Sequence, residues 1–117
     1  MAIRIRAHLI AVAQGDEVLF SDYEDGGEMW VAEGTRERRC AVHFDEPFAE
    51  PPSVHCALSM WDMDQSHNQR ADLMVEEITC DGFTAVFRTW GDSRIARARM
   101  AWMAIGAATD DDQWQLY

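Results

Sequence analysis

PPSVHCALSMWDMDQSHNQR, residues 51–70, and GFTAVFRTWGDSRIARARMAWMAIG, residues 82–106, decide the fold between them. In the first, Val54, Cys56, Leu58 and Met60 alternate with His55, Ala57, Ser59 and Trp61. That period of two belongs to a strand with one buried face. In the second, Phe83–Trp90 is rich in aromatic and β-branched residues, Gly91-Asp92-Ser93 reads as a turn, and Ile95–Ile105 predicts the longest strand. One face of that strand, Ala96, Ala98, Met100, Trp102 and Ala104, is uniformly apolar, while Arg97 and Arg99 stand in mid-strand on the other. Arginines so placed require carboxylates, either across the sheet or on another subunit, where Asp72 and Glu76 are candidates.

Working outward, Asp62–Asn68 reads as a polar loop and Ala71–Thr79 as a strand. Cys80-Asp81-Gly82 carries Asp-Gly turn chemistry, so the flanking strands are expected to pair as an antiparallel hairpin. Cys40, Val42 and Phe44 alternate with Ala41 and His43 and predict a further strand, preceded by the charged run Arg36-Glu37-Arg38-Arg39. Nearer the start, Ile3–Ala13 predicts a strand or extended arm, Gln14-Gly15-Asp16 a turn, and Val18-Leu19-Phe20 a short strand. Asp22–Glu28 has the composition of an acidic loop, and no segment has convincing helical periodicity. Short strands at regular spacing predict an all-β sandwich. It occupies residues 15–106, with an N-terminal strand or arm over 1–14 and an acidic tail over 107–117, where Trp114 and Tyr117 have the chemistry to dock.

A chain of 117 residues with 48% hydrophobic content predicts one domain. Its net charge of −11 makes nucleic acid and anionic lipid surfaces poor partners. The apolar run Leu9–Ala13 is shorter than the roughly 7–15 residues of a signal-peptide core, so cytoplasmic synthesis without a signal peptide is expected, with any release or extracellular role left open. No run approaches the roughly 20 apolar residues of a membrane span, and membrane insertion is not expected. Cys40, Cys56 and Cys80 cannot all pair within one chain and are expected to be buried free thiols.

Signatures of enzyme chemistry are missing. There is no GxSxG, HExxH or phosphate-cradling glycine loop. Asp62-Met63-Asp64 begins like a calcium loop, but His67 stands where glycine is needed and Leu73 where glutamate is needed. No enzyme, cofactor or metal is therefore expected. His67, in the polar loop, is the one histidine retained as a site candidate. A different chemistry fits better: a sugar needs a planar donor fork for adjacent hydroxyls and an aromatic face for its apolar side. Arg70, at a loop-to-strand junction, supplies the fork, and Trp90, at a strand end, supplies the platform. On composition alone the same residues also fit a surface ion pair and a core tryptophan.

The two quoted segments resemble the H-type lectin family, that of the snail agglutinins and the C-terminal domain of the discoidins. The likeness covers Gly15–Gly106 and is carried by Phe44, Pro47-Phe48, Pro51-Pro52, Asp62, Asn68, Arg70, Gly82-Phe83, Thr89-Trp90 and Trp102. It implies a six-stranded antiparallel β-sandwich that assembles as a homotrimer. It also implies metal-free, shallow sites near subunit interfaces for N-acetylgalactosamine (GalNAc) or galactose. By the same resemblance Arg70 hydrogen-bonds the sugar, Trp90 packs on it, and an acidic residue of an N-terminal loop falls on Glu33. Two departures stand out. Gly91 occupies the position of a sugar-touching histidine, with Asp92 as the substitute, and Ala49 and Phe87 occupy positions of disulfide cysteines. The expected function is that of a lectin for terminal GalNAc- or galactose-type glycans. The alternative is a structural trimerisation or attachment module with a vestigial sugar site.

Overall fold

A computed structural model describes residues 1–109. Its elements in order are β1 (Ile10–Ser21), α1 (Glu28–Val31), β2 (Arg36–His43), β3 (Ser53–Met63), β4 (Asp72–Glu76), β5 (Gly82–Thr89) and β6 (Ile95–Ala107). The strands form two three-stranded antiparallel sheets, one in the order β1-β6-β3 and the other β2-β5-β4. This is the all-β sandwich expected from the pattern, in the six-stranded antiparallel form that the resemblance implies.

The alternations explain the layers. Ala98, Met100 and Ala104 of β6 are fully buried and meet Phe83, Ala85 and Phe87 of β5 in one core. Phe44, Phe48, Phe83 and Trp102 form an aromatic cluster with ring centroids 5.1–6.0 Å apart. Phe20 meets Phe87 edge-on at 5.2 Å further along. At roughly 25 cal/mol per Å² of apolar surface, this layer is the main stabilising term.

The structure corrects several sequence expectations. β1 runs unbroken through Gln14-Gly15-Asp16, pairing with β6 from Ile10↔Ala107 to Ser21↔Arg97. Gly15 is there for space, since a Cβ would lie 3.0 Å from the Trp102 indole across the sheet. Residues 3–9 are outside the sheet and exposed. The charged run 36–39 belongs to β2, where Arg36 and Arg38 point inward and Glu37 and Arg39 outward. Met29-Trp30-Val31 lies in a one-turn helix that seats Met29 in the core.

β4 and β5 do pair antiparallel, but Gly82 is the first residue of β5 and not a turn residue. The left-handed residue of that connection is Glu77, at φ 54°. Gly82 answers close approach instead: a Cβ there would lie 2.1 Å from the Val42 carbonyl oxygen. The partners of the mid-strand arginines lie within their own sheet, Asp62 for Arg97 at 3.2 Å and the Ser59 hydroxyl for Arg99 at 3.2 Å. Asp72 and Glu76 sit on the opposite sheet. The cysteines are free but only half-buried, and burial raises the thiol pKa of Cys40 and Cys56. Trp114 and Tyr117 fall outside the described residues.

Candidate functional site

At one end of the sandwich, β5 hands over to β6 through Trp90–Arg94, and the turn needs Gly91 at φ +71°. Ser93, fully buried, organises what surrounds it. Its Oγ accepts the Arg70 amide N–H at 2.9 Å and lies 3.0 Å from the Trp90 carbonyl and 3.1 Å from that of Asn68. Thr89 donates its hydroxyl to the Arg70 carbonyl. The backbone of Arg70 is thus fixed from both sides before its side chain does anything.

The Arg70 side chain lies across the turn, its Nη1 donating to Asp92 Oδ1 at 2.9 Å. A Cβ on residue 91 would lie 2.8 Å from that nitrogen, so a larger residue there would push the guanidinium aside, while the positive φ itself favours glycine. The Arg70 hydrogen bond holds the Asp92 carboxyl below the usual carboxylate range. Trp90 stands beside this pair, 44% exposed. Arg70 and Asp92 are half-buried, and Glu33 and Gly91 are exposed, which makes a shallow, wet surface.

Glu33 arrives through its neighbour. The Gly34 amide donates to the Gly91 carbonyl at 2.9 Å, binding the loop before β2 to the turn after β5. Behind this contact sits Arg36, only 5% exposed. Its Nε donates to the Gly34 carbonyl at 2.9 Å, Nη1 to Glu28 O at 3.0 Å, and Nη2 to Ser93 O at 3.1 Å. One guanidinium therefore ties α1, the Glu33 loop and the Gly91 turn together, satisfying carbonyls that burial would otherwise leave unpaired.

The structure gathers all five residues expected at the site, Glu33, Arg70, Trp90, Gly91 and Asp92, around this one turn. Sequence reasoning passed over Arg36, Thr89 and Ser93, the residues that hold them there. Arg36 had a legible signal, since an arginine on the inward row of a strand demands buried acceptors. His67, the other candidate, is engaged locally: its Nδ1 lies 2.7 Å from Asp64 Oδ2, while the Ser66 amide donates to Asp64 Oδ1 at 2.8 Å. The Ser66 bond first, then His67, holds the Asp64 carboxyl below its usual range. Gln69 closes this loop onto the site by accepting the Arg94 amide at 3.0 Å. Among the described residues, no group of three or more His, Cys, Asp or Glu side chains has the arrangement of a metal cage.

A two-sheet sandwich with an exposed tryptophan beside a braced, half-buried arginine at one end suits a carbohydrate-binding domain, and comparison with known proteins supports that class. The model of the H-type lectin domain matches residues 40–105, and the chain belongs to the H-type lectin family. Discoidin II of Dictyostelium discoideum superimposes with a TM-score of 0.72 at 20% identity over 93% of this chain. A second structure, of wild-type discoidin II, gives 0.71 at 22% over 86%. This chain spans 41% and 38% of those two chains. A relative in Fuscovulum blasticum, described as "ATP synthase subunits region ORF 7", is 52% identical over 107 residues, 92% of this chain and 93% of its own length. Family and fold together point to a binding domain.

Proposed function

We propose that the protein is a lectin for terminal GalNAc- or galactose-type sugars, working as a homotrimer without metal. The observation that carries this reading is the Arg70–Asp92 pair fixed beside the exposed Trp90 ring. Within the described chain only Nη1 of Arg70 is engaged, which leaves Nε and Nη2 to donate to adjacent sugar hydroxyls. Asp92 Oδ2, or the Glu33 carboxylate, accepts from a hydroxyl in return. The Trp90 face takes the apolar side of the ring. Gly91 leaves room for the guanidinium where a larger residue would displace it.

So shallow a site exchanges water hydrogen bonds for sugar hydrogen bonds and gains little per copy. Presentation in threes compensates through effective concentration. Support for assembly comes from the outer face of the β1-β6-β3 sheet, where Val12, Met103 and Ile105 are exposed in adjacent rows. The same face favours the second reading, an attachment module whose work is assembly. Synthesis in the cytoplasm followed by release to meet a cell-surface glycan belongs to the first reading.

Glycan-array binding beside mass by light scattering tests both. Selective binding of terminal GalNAc or galactose, lost in Arg70→Ala and in Trp90→Ala, is expected. An oligomer that binds no glycan would transfer the function to assembly, and undiminished binding by Arg70→Ala would remove the site.

A further inference from the structure

Residues 1–9, MAIRIRAHL, lie outside both sheets and every one of them is exposed. Ile3 and Ile5 alternate with Arg4 and Arg6, the pattern of a strand with one apolar and one charged face. The net charge of −11 divides into +2 for residues 1–9 and −13 for the rest. Here is a basic, strand-patterned segment without a sheet.

The opposite chemistry lies between the two sheets. β1 and β2 are both edge strands, each with one row of backbone groups unpaired in its sheet. Beside them is a cleft of about 700 Å³. Its β1 wall is the small inward row Ala11, Ala13 and Gly15, ending in Glu17, and these residues are only half-buried. Asp45 and Glu46, just past β2, make the facing rim acidic. No arginine lines the cleft. A free edge, a floor of small residues and three carboxylates accept an extended segment with alternating isoleucine and arginine.

We propose that residues 1–8 of one copy lie as an added strand in the β1/β2 cleft of a second copy. Ile3 and Ile5 cover the alanine row, and Arg4 and Arg6, on the opposite face of the arm, meet Asp45 and Glu46 on the facing rim. The exchange runs between copies for two reasons. The Leu9 carbonyl accepts the Ala108 amide at 3.0 Å, which pins the root of the arm where β1 begins. Between Met1 and Ala13 there is no glycine, proline, asparagine, aspartate or serine to reverse the chain into its own cleft. Nine extended residues reach about 30 Å, enough to leave the parent subunit.

This inference rests on the self-assembly proposed above, and the test separates the two. The full-length chain carries p-benzoylphenylalanine in place of Ile5. Equal amounts of ¹⁵N-labelled and unlabelled protein are refolded together, irradiated, digested and read by mass spectrometry, with light scattering in parallel. Cross-linked peptides of mixed isotopic origin, joining position 5 to residues 11–17 or 43–48, are expected. Arg4→Glu with Arg6→Glu lowers their yield about fivefold, as two surface pairs would, and Asp45→Arg with Glu46→Arg in the same chain restores it. Cross-links confined to one isotopic form would overturn the exchange. An oligomer with no cleft cross-links would overturn the arm and leave assembly standing, and a monomer would overturn both.

Discussion

The outer faces of the two sheets are built on opposite plans. On the β2-β5-β4 sheet the surface satisfies itself: Arg39 bridges Glu76 at 2.9 Å and Glu77 at 3.6 Å, and Arg88 bridges Glu37 at 3.2 Å. Val86 points outward from the middle of this sheet yet is fully buried, flanked in register by Arg39 and Met74. The arginine stems roof it while their heads reach water. On the β1-β6-β3 sheet none of the described side chains roofs the centre. Val12–Ile105–Ser53 and Gln14–Met103–His55 form open rows, and ionic pairing retreats to Arg97 and Asp62 near one end. One face is finished by its own side chains, and the other is left open, the face that the proposed assembly would cover.

The largest effect should come from placing a charge on the unfinished face. If the proposed assembly covers this face, Met103→Asp would bury an unpaired carboxylate there and weaken assembly on the order of a thousandfold. Light scattering should then report the 13.4 kDa monomer. Met74→Asp on the self-satisfied face should leave the oligomer intact. Equal behaviour of the two variants would erase the distinction between the faces.

The two sheets can also be compared through their glycines. In Gly82→Ala the new methyl meets a backbone oxygen at 2.1 Å, which cannot swing aside, and more than about 3 kcal/mol should be lost in urea unfolding. In Gly15→Ala it meets the Trp102 side chain at 3.0 Å, which has some room to yield, and about 1–2 kcal/mol is expected. A reversed order would mean that the Val42–Gly82 approach relaxes more easily than an indole tilts.

These glycines also show what the sequence made legible. Alternation in β3 and β6 was readable because each has one apolar and one polar face, and period two survives wherever only one side is buried. Gly15 and Gly82 were misread as turn residues because nothing local distinguishes a glycine kept for φ from one kept for space. The space belongs to Trp102 and Val42, both distant in sequence. Arg36 was hidden in a charged run for a related reason, since its acceptors come from α1, the Glu33 loop and the Gly91 turn. Arg70 and Trp90 were legible as a donor fork and an aromatic platform, Glu33, Gly91 and Asp92 entered through family resemblance, and the hydroxyls and guanidinium that position them only through the structure.

A smaller effect tests the self-satisfied face directly. Arg39 is exposed, so its pairs with Glu76 and Glu77 are screened by water and add little. Arg39→Ala should be mildly destabilising, mostly by uncovering Val86, and the loss should persist at 1 M salt. A loss that vanishes in salt would assign the effect to the ion pairs and not to the roof.

The finest test asks the same question, finished or open, of two carboxylates. Asp64 has both oxygens engaged by its own loop, whereas Asp92 offers Oδ1 to Arg70 and has Oδ2 unengaged among the described residues. Both pKa values are depressed, so each group's contribution is present above its unfolded value, near 3.8, and lost as pH falls through the lower folded value. Sugar binding should therefore stay level from neutral pH to about 4 and fall only below it. Carboxylate titration by NMR resolves the two groups. Added GalNAc should push Asp92 lower still, because a hydroxyl donating to Oδ2 favours the charged form, and should leave Asp64 unmoved. If Glu33 moves and Asp92 does not, the acceptor is the loop residue, and Asp92 serves only to aim Arg70.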